Sequence, residues 1–497
     1  MSLTANGAVA GLETMSGIDL KATAAGTSLD QVGRLIDQSW PKTGPFELSG
    51  RLTGRKDVLA LRGARALVSH GNLTLSATGT VNNLMTLKGV SLEVTASGKE
   101  FAELSPLIGM KLSKLGSFKL TGKLTGSAAE LVLGNATALI GHSDLSGTVR
   151  VVLGDRPKFT LRLDSGLIDY TPFMTDARDE EKRLEEIENG TRSTPLFSDE
   201  SLGLDALGGF DADVVLHMRR IHARDAEFEF GRLVLSLING EFKISNLEAT
   251  YKGARISGHA RLYPESPPRL ETDFLVQGFD LGRFLAETEV TGEVEGLLDI
   301  AVDVNSRGDS MQALMANLDG SVGLVMGEGR ASRYLDLLAA GLSQQVLTFW
   351  GHHKEASRVE CGVSLFDIDH GVATSLAFVF VTKAGIIKAE GNINIATGKI
   401  NFLLKPKPRH PTLVSLATDL RVTGSVTAPK VQPDTRALAE KGVKLLSTLA
   451  IGPLGVLAPF ANLGAWDGHP CDVRAIDKIL LTTPALRKDA AEIGSPR

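Results

Sequence analysis

The stretch LTANGAVAGLETMSGIDLKATAAG, residues 3–26, returns 72 positions later as LSATGTVNNLMTLKGVSLEVTASG, residues 75–98. The copies overlay without a gap. Leu3, Gly7, Val9, Leu12 and Thr14 fall on Leu75, Gly79, Val81, Leu84 and Thr86. Gly17, Leu20, Thr23 and Gly26 fall on Gly89, Leu92, Thr95 and Gly98. The match continues through Leu35, Ile36, Gly44, Phe46, Leu48, Gly50 and Gly54 against Leu107, Ile108, Gly116, Phe118, Leu120, Gly122 and Gly126. Identities held in one register at a fixed period mark a repeat architecture, in which each unit stacks on its neighbour.

Within each copy the periodicity is that of strands. Phe118, Leu120 and Leu124 alternate with Lys119, Thr121, Lys123 and Thr125, a period of two. One short helix is expected after a glycine turn in each copy, over residues 29–38 and 101–110. A diverged copy spans 256–308, with residues 279–286 in the helix slot and strands over 291–304. There Leu298, Ile300, Val302 and Val304 share one face, and Asp299 and Asp303 the other. Strands with one apolar face and no long helices between them need closure or a second layer. Few large residues exist to plug a barrel. The expected fold is therefore mainly β: repeated antiparallel strands, roughly twenty-five at about 4.7 Å spacing, in an elongated, curved, open sheet whose apolar face lines a trough.

Composition agrees. The chain has 497 residues, beyond a single core, with 43% apolar residues, 5% aromatics and 53 glycines for tight turns. A net charge of −5 without basic–aromatic stretches excludes a nucleic-acid partner. The two cysteines, Cys361 and Cys471, form no zinc pattern and are read either as reduced core residues or as one long-range disulfide. The N-terminus carries neither a basic leader nor an apolar run and opens within a strand pattern. Either the protein is cytosolic or an upstream segment is missing, and the repeat favours the second.

Two stretches interrupt the pattern. Residues 174–200 are dense in charge and read as a solvated helix or disordered insertion, with a partner-docking arm as the functional alternative. Residues 443–463 are nearly uncharged but broken by Gly452, Pro453, Gly455 and Pro459. They suit two short apolar helices capping the sheet, or an element that dips into a bilayer.

Signs of chemistry are sparse. There is no HExxH, P-loop or nucleophile elbow. His352 and His353, near Glu355 and Glu360, suit a solvated helix end better than a metal site. Asp299 and Asp303 are outward strand charges before they are an acid–base pair. Neither an enzyme, a metal nor a cofactor is expected.

The C-terminal third carries a family pattern. Residues 318–329 (LDGSVGLVMGEG) open a strand pair, and an amphipathic helix is expected over 334–350. Residues 361–373 (CGVSLFDIDHGVA), 387–395 (IKAEGNINI), 403–408 (LLKPKP) and 420–431 (LRVTGSVTAPKV) follow. Gly452–Pro453, Pro459–Phe460 and Pro470–Cys471 close the series. This order resembles the C-terminal domain of the AsmA family across about 310–475. The resemblance implies a bacterial envelope protein, periplasmic and tied to the inner membrane by an N-terminal helix that this chain lacks. It also implies likeness to bridge-like lipid transfer proteins, whose β-grooves carry acyl chains, and a place in outer-membrane biogenesis. An oxidising periplasm would in turn favour a Cys361–Cys471 disulfide.

The domain organisation expected is tandem repeats over 1–173, a charged insertion over 174–200, a diverged repeat over 201–310, the AsmA-like domain over 311–475 and a tail over 476–497. The function expected is non-enzymatic binding of phospholipid acyl chains in the groove, contributing to lipid traffic. Its candidate lining is Phe118, Leu120 and Leu124; Phe159, Leu161 and Leu163; Leu298, Ile300 and Val302; and Ile393 and Ile395. The competing reading is a membrane-associated scaffold that docks outer-membrane protein assembly partners by strand addition.

Overall fold

The computed structural model describes residues 1–11, 16–31, 43–55, 57–105, 112–171, 196–223, 226–287, 294–331, 357–409, 419–426 and 428–434. Among them, twenty-five strands make an open, mixed sheet with very few helices. The chain divides into two compact units, one of residues 1–176 and 205–249, the other of residues 177–204 and 250–497.

The first unit opens with β1 (Ser2–Gly11), β2 (Ser16–Gly26), β3 (Phe46–Arg55), β4 (Val58–His70), β5 (Leu73–Asn83) and β6 (Lys88–Gly98). Then come β7 (Phe118–Gly126), β8 (Glu130–Ile140), β9 (Ser143–Val152), β10 (Lys158–Ser165) and the short β11 (Ile168–Asp169). The unit ends in β12 (Asp211–Met218), β13 (Ile221–Ala223), β14 (Ala226–Ile238) and β15 (Glu241–Tyr251), the last two residues of which fall in the other unit. Consecutive strands from β1 to β10 pair antiparallel. The repeat explains this order, since β1 to β4 and β5 to β8 are the two copies laid side by side.

The sheet is not antiparallel throughout, as the alternation led us to expect. β10 pairs parallel with β12, and β11 with β13. A parallel pair needs a crossover of a dozen or more residues, and the chain between Asp169 and Asp211 supplies that length. Arg156 anchors the far side: its guanidinium donates to the Asp211 carboxylate at 2.6 Å and to the carbonyls of Gly208 and Phe210.

Each repeat carries one marked irregularity. Where β4 meets β5, Leu61 opposes Val81 and Ala64 opposes Gly79, so β4 holds one residue too many. The next copy repeats this where β8 meets β9, with Leu133 against Val149 and Ala136 against Gly147. The extra residue sits beside a left-handed position, Gly63 at φ 57° in β4 and Asn135 at φ 49° in β8.

The second unit comprises β16 (Ala254–Tyr263), β17 (Arg269–Asp280), β18 (Val294–Arg307), β19 (Asp319–Ala331) and β20 (Ser357–Asp369). It continues with β21 (Val372–Thr382), β22 (Gly385–Asn394), β23 (Lys399–Pro408), β24 (Leu420–Ser425) and β25 (Ala428–Pro433). These pair antiparallel in chain order. Two short helices, α1 (Leu281–Glu287) and α2 (Met311–Ala316), precede β18 and β19. The Ser310 hydroxyl caps α2 by accepting from the Ala313 amide.

Helix α1 lies in the slot expected over 279–286. The helix expected over 101–110 begins as a single 3₁₀ turn, Phe101–Leu104, and only the start of the one over 29–38 is described. The helix over 334–350, the apolar stretch 443–463 with the expected helical cap, the tail 476–497 and His352–His353 lie outside the described residues. So does the insertion 174–200 up to residue 195.

Candidate functional site

Side chains alternate across a strand, so register decides which residues share a face. Followed from partner to partner across the first unit, one row of residues is apolar throughout. It runs Gly7, Leu20, Leu52, Leu61, Val81, Val90, Gly126, Leu131, Val151, Phe159, Ala212 and Leu237, crossing twelve strands from β1 to β14. A second lane beside it runs Gly79, Leu92, Leu124, Leu133, Val149, Leu161, Val214 and Leu235. The bulges keep these lanes straight. Without the extra residue of β4 and β8, everything beyond it would change face.

The opposite face is polar. Its corresponding row reads Glu47, Leu67, Ser76, Thr95, Thr121, Thr137, Ser146, Asp164, His217 and Arg232. Threonines bond across it, Thr121 to Thr137 at 2.7 Å, and Arg51 pairs with Asp19. That hydrogen bond is the main reason the Asp19 carboxyl titrates below its ordinary range.

On the apolar face of β1 to β6 lies a cavity of about 560 Å³, lined by Leu48, Leu52, Leu61, Val68, Val81 and Leu92 among others. These side chains are half-buried or buried. Of the expected lining residues, Leu120, Leu124, Phe159, Leu161 and Leu163 are all half-buried, and Leu124, Phe159 and Leu161 stand in the two lanes. Phe118 is 4% exposed and packs edge-on against Phe101 at 5.7 Å, beneath the 3₁₀ turn. Phe159 meets Phe210 in the same manner at 5.6 Å.

The expected residues of the second unit have a different setting. Val302 belongs to a buried cluster with Val304, Leu318, Phe366, Ile368 and Ala373, and Ile300, Ile393 and Ile395 pack against it. Leu298 packs against Met326 and Val359. In β20 to β22 the other face is buried as well, around Cys361, Val381 and Ile386. Cys471 lies outside the described residues.

The cavity residues of β3 to β6 were not singled out from sequence, although the signal was present. Leu48 and Leu52 are the repeat equivalents of Leu120 and Leu124.

Polar clusters offer little chemistry. A cavity of about 460 Å³ in the second unit is lined by Asp280, Arg283, Glu295, Glu328 and Arg330 with glycines and Leu297, a set without serine, threonine, cysteine or histidine. Asp319, Asp369 and His370 bring three ligand atoms within 4.8 Å of one another on a turn. Asp369 lies 2.6 Å from the His370 ring and, with Asp319, raises its pKa. Asp319 also accepts the His370 amide at 2.8 Å, so these groups are largely occupied in holding the turn.

The first unit is thus an open sheet with one apolar face and one polar face. The sequence model of the AsmA family matches residues 53–375, well over half of the chain, and the chain belongs to that family. It is 24% identical over 442 residues to the AsmA family protein YhjG of Escherichia coli (strain K12), covering 83% of this chain and 64% of that protein. The chain thus spans just under two thirds of the length of this curated relative. No solved structure matches it. The AsmA family is an envelope family not known for enzymatic activity, so membership suggests an envelope-related role. Among the described residues no helix is long and apolar enough to cross a membrane.

Proposed function

We propose that the apolar face of the first unit holds phospholipid acyl chains, and that the protein serves lipid traffic and outer-membrane biogenesis in the periplasm, at the inner membrane. The observation that carries this reading is the lane of twelve strands without a polar side chain, opening into the cavity over β1 to β6. Binding is by burial. Each methylene moved out of water contributes about 0.8 kcal/mol, so ten contribute about 8 kcal/mol before ordering costs. An apolar floor reads chain length more than headgroup. The reading makes the protein a carrier, in which no bond is made or broken.

The test is lipid extraction and mass spectrometry on the purified chain, beside an unrelated protein from the same host. Stoichiometric phospholipid is expected. A bare chain that also refuses lipid in vitro would remove the proposal and leave the scaffold reading.

A further inference from the structure

The Gly–x–Val sequence of β1, Gly7 to Val9, occurs twice more as a strand opening a new set, at Gly79 to Val81 in β5 and Gly147 to Val149 in β9. All three glycines have nearly the same backbone, with φ of 152°, 150° and 146°. In β5 and β9 this sequence receives a strand of one kind on its outer edge. Val81 and Gly79 oppose Leu61 and Ala64 of β4, and Val149 and Gly147 oppose Leu133 and Ala136 of β8. The two incoming strands share Leu–x–x–Ala–x–Ala–Leu, Leu61 to Leu67 and Leu133 to Leu139, with the extra residue between the Leu and the first Ala.

In β1 no strand among the described residues takes the same edge. Among the described residues β1 pairs only with β2, its residues Ser2–Ala8 are exposed, and Leu3 is 62% exposed. A bare strand edge presents unpaired amides and carbonyls that take up a further strand. We propose that the outer edge of β1 is an acceptor for one strand of the β4 and β8 kind. Such a strand sets its Leu against Val9 and its first Ala against Gly7. It thereby prolongs the apolar lane of Gly7, Leu20 and Leu52 by one strand. β4 and β8 each already have neighbours on both sides, so the occupant is a further strand of this type. The inference stands whether or not the lanes carry lipid.

The experiment is hydrogen–deuterium exchange of the full chain with a synthetic peptide of residues 57–71. A control peptide lacks Gly63 alone. Deleting one residue throws the distal half of a strand onto the wrong face, while composition barely changes. Slowed exchange over residues 2–9, at least tenfold with the intact peptide and under twofold with the control, is expected. Three results overturn the proposal: no protection of residues 2–9 at millimolar peptide, equal protection by both peptides, or protection that follows protein concentration without peptide. The last would make β1 a self-association edge.

Discussion

Leu61→Asp tests the lane directly. Leu61 stands between Leu52 and Val81 on the cavity wall and is half-buried in the lipid-free chain. Complete burial of a leucine side chain is worth roughly 1.5–3 kcal/mol, so an acyl chain that finishes the burial recovers about 1 kcal/mol here. A carboxylate also keeps two or three methylenes wet, at about 0.8 kcal/mol each, for a total near 3 kcal/mol. That corresponds to a loss of roughly a hundredfold in affinity. Folding pays only for the half already buried, about 1 kcal/mol. The matched control is Leu67→Asp on the same strand, which points to the polar face, opposes Ser76 and is 42% exposed. Co-purified phospholipid and titration with a fluorescent fatty acid should collapse for Leu61→Asp and hold for Leu67→Asp, with both circular dichroism melts close to the parent. Lipid retained within twofold by Leu61→Asp, or lost equally in both, refutes the lane. Leu61→Asp unfolding without lipid would show Leu61 to be ordinary core.

Three further outcomes follow from particular contacts. Gly79→Val should lower the melting temperature by several degrees, because φ is 150° there and a Cβ would overlap the Ser91 carbonyl oxygen; scanning calorimetry checks it. The Asp211 carboxyl is held below its ordinary pKa, first by the Asn239 amide and then by Arg156. Its stabilisation is therefore full above the unfolded pKa and fades as pH falls through the lower folded value. Melts of Asp211→Asn and parent should differ near neutrality and converge in acid, and a gap that widens in acid would reverse the sign. Cys361 and Cys471 should resist maleimide labelling until reduced, and opening that long loop should cost roughly 4 kcal/mol in denaturant unfolding.

Strand type and strand order were legible because they depend on local signals. Alternation at Phe118, Leu120 and Leu124 identifies a strand with one apolar face, and the 72-residue offset says that β5 to β8 repeat β1 to β4. The repeat slot 279–286 lies close to the observed α1, at whose start the Asp280 carboxylate accepts the Arg283 amide at 3.0 Å. The parallel pairing of β10 with β12 was not legible. It is set by where a long connection returns the chain, and no residue of either strand encodes that direction.

The candidate site shows the same division. Each lane is a property of register, and register depends on single extra residues, beside Gly63 and Asn135, that alternation alone passes over. The sequence therefore identified Leu120, Leu124 and Leu161 as apolar-face residues but did not place Leu61 or Val81 with them, although the bulge brings those two together. It also treated Val302 as equivalent to Leu124, since both alternate with polar neighbours. What separates them is burial. Val302 is 8% exposed and packs with Leu318 and Phe366, whereas Leu124 is half-buried on a sheet whose other face is threonine, lysine and glutamate. A residue can be read as apolar and inward from its neighbours in the chain. Whether it is covered by protein or left half-open is decided by elements far away in sequence, so a charge at half-buried Leu61 separates lipid loss from unfolding more cleanly than one at buried Val302.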